Sequence, residues 1–185
     1  MNTPNKITVG RMFVAPIFLI VFFLGFKHRM LVSATIFAIG SITDAIDGNL
    51  ARKNNMVTNF GKLLDPIADK MLVTAGLLAF LKIGLCNIWI VMIILTREFA
   101  VTSVRLIASA QGVVIPANVG GKIKTVLQMV SFIVIMCLGE LHEAFGINIP
   151  MVLISNILLG ITAVAAVVSG LIYLLDSRKV IDFKK

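Results

Sequence analysis

DAIDGNLARKNNMVTNFGKLLDPIAD, residues 44–69, sets four aspartates, two glycines and an arginine in a chain that is otherwise strongly apolar. Written as a pattern it is D-x2-D-G-x2-A-R-x8-G-x3-D-x3-D, with eight fixed residues over 26 positions. A carboxylate in or beside hydrocarbon costs on the order of 2.5–3.5 kcal/mol on insertion scales, so four at helical spacing need cations to offset them. The stretch reads as a dinuclear metal site at a membrane face.

Composition supports the membrane half of this reading. The chain has 185 residues, 58% hydrophobic and 14% charged, and a mean hydropathy of +1.00. So apolar a chain cannot cover itself with polar surface. About 20 apolar residues cross ~30 Å of hydrocarbon as a helix, and spans are expected near 11–26, 30–52, 63–82, 88–110, 121–140 and 151–175. The expected fold is an all-α integral membrane protein, one domain over residues 1–185, built as a bundle of six transmembrane helices. The first span is no secretory signal, because Lys27, His28 and Arg29 follow it where a small-residue cleavage pattern belongs.

Basic residues set the orientation. With the N-terminus in the cytoplasm, that side carries Lys6, Arg11, Arg52, Lys53, Lys62, Lys122, Lys124, Arg178, Lys179, Lys184 and Lys185, and the opposite side only Lys27, Arg29 and Lys82. Eleven against three puts both termini and the aspartate stretch at the cytoplasmic face. The net charge of +8 therefore expresses orientation and attraction to anionic lipid headgroups. It does not describe a basic face for nucleic acid. Cys86 and Cys137 are too far apart for a metal motif, His28 and His142 fall in outer loops, and Trp89 reads as an interfacial anchor.

Asp44 and Asp47, three residues apart, share one helix face, and Gly48 beside them lets a ligand approach the backbone. Asp65 and Asp69 are four apart on the next helix. A short connection makes the two helices antiparallel neighbours and brings the pairs together. Pro66 has no N–H to give Lys62, so the third helix is expected to start late or to bend at Asp65. Oxygen-only donors favour Mg2+ or Mn2+ over zinc, and two such ions between carboxylates form the clamp used in phosphoryl transfer. The blander reading pairs the aspartates with Arg52, Lys53, Lys62 and Lys70 at helix ends; four carboxylates in this arrangement disfavour it.

The pattern resembles the signature of the CDP-alcohol phosphotransferase family, membrane enzymes that move a phosphatidyl group from a CDP-linked lipid onto an alcohol. PNKITVGR at residues 4–11, LTREFAVTSVRL at 95–106 and GGKIKTVLQM at 120–129 resemble its bacterial members that use glycerol 3-phosphate. The resemblance implies that Asp44, Asp47 and Asp65 hold one metal and that Asp44, Asp65 and Asp69 hold the other. It implies further that Asp69 is the base, that Gly48, Arg52 and Thr58 border the CDP moiety, and that Asn5 and Thr8 lie against the nucleotide. The expected reaction joins CDP-diacylglycerol and glycerol 3-phosphate into phosphatidylglycerophosphate and CMP, at the cytoplasmic membrane of a bacterium, and the family implies a homodimer.

The signature does not encode the acceptor pocket. A phosphate dianion needs cations at the depth of the metals, and Arg105 and Lys122 are expected at that level. Lys124 points roughly 160° from Lys122 around a helix, and Arg97 lies about 12 Å deeper than Arg105, where Glu98 or a neighbouring helix is an alternative partner. Three competing readings stand beside this one. The acceptor could be inositol phosphate, serine, an amino alcohol or phosphatidylglycerol; the chain could be a divalent-cation transporter; or it could be a noncatalytic lipid-binding scaffold. Transport requires polar groups through the outer half, which is nearly all apolar, and a scaffold gives no reason for four aspartates.

Overall fold

Among the described residues six helices follow one another: α1 Thr3–Phe23, α2 Arg29–Lys53, α3 Asn59–Lys82, α4 Ile88–Ala110, α5 Val119–Phe145 and α6 Met151–Ser177. This computed structural model describes the backbone of residues 3–53, 59–111 and 119–178, with side chains outside 3–9, 11, 44–53, 59–66, 69 and 110. Each expected span falls within or largely overlaps one helix. The helices exceed the spans where their ends are polar: α1 starts at Thr3, and α5 runs on to Phe145 through GELHEAF. Hydropathy marks the apolar part of a helix and is blind to polar turns that continue it. α3 begins at Asn59, ahead of Pro66, which rules out the late start.

The turns have local causes. Gly84 (φ 77°) and Gly146 (φ 68°) adopt the left-handed conformation after α3 and α5, where a side chain would be strained. Asn87 caps α4, its Oδ1 accepting from Trp89 N at 2.9 Å.

Helix contacts close into a ring. α1 packs on α2 and α3, α2 on α5, α5 on α6, α6 on α4, and α4 back on α3. The circuit is thus α1, α2, α5, α6, α4, α3. Among the described residues α2 and α3, expected as close neighbours, meet at Gly40, whose missing Cβ leaves room for Leu72 and Val14, and at Gly76, which Phe37 reaches. Five phenylalanines fill the middle: Phe18, Phe22, Phe37, Phe80 and Phe132, all fully buried. Their rings contact in sequence, Phe37 and Phe132 at 5.1 Å and Phe80 and Phe132 at 5.2 Å between centroids. Phe132 reaches the centre because Gly76 is opposite; a Cβ there would lie 2.5 Å from its ring.

The outside of the bundle is greasier than much of its inside. On α6 the inward residues include Ser155, Thr162, Ala163, Ala166, Ser169 and Gly170, while Val152, Leu153, Ile157, Ile161, Val164 and Val168 are exposed. Small residues within and large aliphatics without is the arrangement of helices packed in lipid. By length and composition α5 and α6 are long and apolar enough to cross a membrane; Met12–Phe23 and Arg29–Thr43 are shorter apolar stretches.

Candidate active site

The aspartates sit on the two helices that sequence reasoning chose. Asp44 and Asp47 are in the last three turns of α2, Asp65 and Asp69 in the first three of α3. From the rise of a helix, all four Cα positions lie about 9 to 15 Å from the ends of α2 and α3 that join. Their side chains lie outside the described residues, as do those of Asn5, Thr8 and Arg52 and the whole of Thr58; Gly48 is in the same turns of α2. Among the described residues no three His, Cys, Asp or Glu side chains converge.

What the described side chains do build is a largely buried charged group beginning at Lys70, the residue after Asp69. Glu98 of α4 is its centre. Lys70 Nζ lies 3.4 Å from Glu98 Oε2, Arg97 Nη1 3.3 Å from Glu98 Oε1, and Lys124 of α5 donates a close, charge-assisted hydrogen bond to Oε1. On the far side Arg97 Nη2 donates to Ser169 Oγ of α6 at 3.1 Å. Four helices therefore meet at this cluster. Helix rise gives Lys70 and Glu98 a depth of about 16 to 18 Å, close to that of Asp69. Arg97 fits there because residue 170 is glycine: a Cβ would stand 2.8 Å from Arg97 Cγ.

The four basic residues expected around an acceptor thus separate. Arg97 and Lys124 share Glu98. Lys124 is only 2% exposed, so it is not a snorkelling lysine that merely orients its span. Arg105 is exposed, with its guanidinium 5.8 Å from the centre of the Tyr173 ring, and Lys122 is exposed on α5. Arg97 Nε, Gln128 Nε2 and the Tyr173 hydroxyl are buried without a hydrogen-bond partner among the described residues.

Glu98 is the residue that sequence reasoning passed over, treating it only as an alternative partner for Arg97. A carboxylate within an apolar stretch, three residues beyond Leu95 in LTREF, was itself the signal. His28, His142, Cys86, Cys137 and Trp89 stand apart from this end. His28 Nδ1 is 2.6 Å from Glu140 Oε1, and His142 Nδ1 is 2.9 Å from the Ile147 carbonyl.

Residues 1–172 match the family model for CDP-alcohol phosphatidyltransferase. The chain is similar to the CDP-diacylglycerol–glycerol-3-phosphate 3-phosphatidyltransferase of Bacillus subtilis (strain 168), 40% identical over 185 residues and covering 91% of each chain. It is 38% identical over 169 residues to a probable phosphatidylglycerophosphate synthase of Mycobacterium tuberculosis (strain ATCC 25618 / H37Rv), covering 89% of this chain and 80% of that one. A Rickettsia bellii (strain RML369-C) protein with the same name as the Bacillus one is 36% identical over 179 residues, covering 96% of both.

Proposed function

Since the chain belongs to the CDP-alcohol phosphatidyltransferase family, we infer that it transfers the phosphatidyl group of CDP-diacylglycerol to glycerol 3-phosphate, yielding phosphatidylglycerophosphate and CMP. The observation that carries this is the near full-length similarity, at 36% and 40% identity, to relatives named for that reaction. In this reading all six helices cross the bilayer with both termini in the cytoplasm, supported by the distribution of Lys and Arg.

Asp44, Asp47, Asp65 and Asp69 are the residues that would hold two divalent cations. The donor set fits the group: carboxylates alone, on two helices at matching depth, suit Mg2+ or Mn2+. When bound, such cations would supply the positive charge that offsets the donor's diphosphate and the charge on departing CMP. The protein's own residues do the rest. Asp69 takes the proton from the acceptor's primary hydroxyl, whose oxygen attacks the phosphorus bearing diacylglycerol while the bond to CMP breaks. Arg52 offers a planar, permanently charged donor set to the CDP portion, with Gly48, Thr58, Asn5 and Thr8 bordering it. The acceptor phosphate is held by basic residues of α4 and α5. Of Arg105, Lys122, Arg97 and Lys124, the last two are already gathered near the depth of Asp69.

Cation transport has less support. A permeation path would have to pass the five buried phenylalanines. The test is CMP release by purified protein from CDP-diacylglycerol with Mg2+ or Mn2+ and a panel of acceptors. Glycerol 3-phosphate should far exceed glycerol, serine and inositol phosphate; equal use of glycerol and glycerol 3-phosphate would overturn the assignment.

A further inference from the structure

A largely buried carboxylate that meets three cations is unusual as a mere staple. One carboxylate and one cation satisfy a staple, and buried ion pairs are often replaceable by apolar residues at no loss of stability. Here Lys70, Arg97 and Lys124 converge on Glu98 from three helices. Among the described residues three cations share one carboxylate, an arrangement that favours a further anion beside them. Two buried donors beside it, Arg97 Nε and Gln128 Nε2, also have no acceptor among those residues. Gln128 follows Lys124 by one turn of α5. The room for Arg97 is cut into α6 at Gly170, next to Ser169, which accepts from its Nη2.

We propose that Glu98 is a positioning residue for the acceptor. Its carboxylate gathers Lys70, Arg97 and Lys124 into one fixed cationic group beside Asp69, and Gly170 supplies the space in which Arg97 reaches it. The inference rests on the phosphatidyl-transfer reading and adds to it the device that holds the acceptor-side cations. Without the carboxylate, three like charges in a low-dielectric interior repel one another, and the long side chains of Lys and Arg disperse toward water. Each cation would remain, but their arrangement would not.

The experiment compares wild type, E98Q, E98D and G170A, purified in nanodiscs, by steady-state kinetics in CDP-diacylglycerol and in acceptor, with the thermal unfolding midpoint of each. E98Q keeps shape and loses charge; it should raise the acceptor KM at least tenfold and leave the donor KM within twofold, whether or not the unfolding midpoint falls. E98D should recover part of the acceptor affinity. G170A alters no charge but sets a methyl against Arg97, and should raise the acceptor KM severalfold with the same selectivity. An unchanged acceptor KM in E98Q, or donor and acceptor KM rising together as the unfolding midpoint falls, overturns the proposal. Should E98Q fail to fold, G170A decides: a selective rise supports the proposal and no change overturns it. If the wild type releases CMP with another acceptor and not with glycerol 3-phosphate, the substrate reading has failed. The same comparison with the acceptor it does use then decides the role of Glu98.

Discussion

The two ends of the bundle use charge in opposite ways. At the end bearing the loops 24–28, 83–87 and 146–150, each carboxylate, Glu140 and Glu143, has its own basic partner. Arg29 makes a two-pronged contact with Glu143, Nε to Oε2 at 2.9 Å and Nη2 to Oε1 at 2.6 Å. Glu140 takes His28 on one oxygen and the Leu31 backbone N–H, an otherwise unused donor in the first turn of α2, on the other. On the aspartate side, near the midpoints of α3 and α4, three cations share Glu98. Matched charges fasten α2 to α5; in the other cluster the cations outnumber their carboxylate among the described residues. The phenylalanine core between them keeps the two systems apart.

That contrast can be broken by substitution, and the effects should descend from one end to the other. Asp44→Ala, at the ligand-using end, should lower CMP release on the order of a thousandfold or more while the protein stays folded. EDTA should silence the wild type, with recovery on adding Mg2+ or Mn2+. Undiminished turnover by Asp44→Ala sinks the two-cation reading. Asp69→Asn should cut kcat by roughly 100- to 10,000-fold with little change in affinity for a CDP-lipid; binding lost in step with rate would make Asp69 a ligand and not the base.

In the core between the ends, Gly76→Leu drives side-chain atoms into Phe132 and should destabilise by about 1–3 kcal/mol. Thermal unfolding would register it, whereas turnover at low temperature should persist. At the loop end, Arg29→Ala should cost no more than ~1 kcal/mol, because both partners are partly exposed and screened. It should leave both KM values alone. A selective loss of acceptor affinity from Arg29→Ala would erase the division between the ends. The smallest effect concerns Cys86, whose thiol burial pushes up to about 11. At pH 8 roughly one part in a thousand is thiolate, so a water-soluble maleimide should label it only after denaturation.

Much of this was legible in one dimension. Hydropathy located all six helices, and spacing put Asp44 with Asp47 and Asp65 with Asp69 on adjacent helices. The circuit of helices was not legible, because apolar stretches look alike whichever neighbour they meet. Lys124 illustrates the same limit. Near the start of a span it reads equally as orientation or as function, and only packing of α5 against its neighbours buries it beside Glu98. Gly170 carried a weak signal, a glycine in a helix otherwise rich in leucine and valine. Its meaning depends on Arg97, 73 positions earlier.

The notch at Gly76 also has a history in the life of the chain. α1, α2 and α3 leave the ribosome first and can pack together, yet the hollow they form stays open until Phe132 arrives. At bacterial synthesis rates of about 5–20 residues per second, the 56 residues from Gly76 to Phe132 take roughly 3 to 11 seconds. For that interval the hollow beside Gly76 lacks the ring that fills it in the folded chain, so the first half of the protein cannot complete its packing before the second is made.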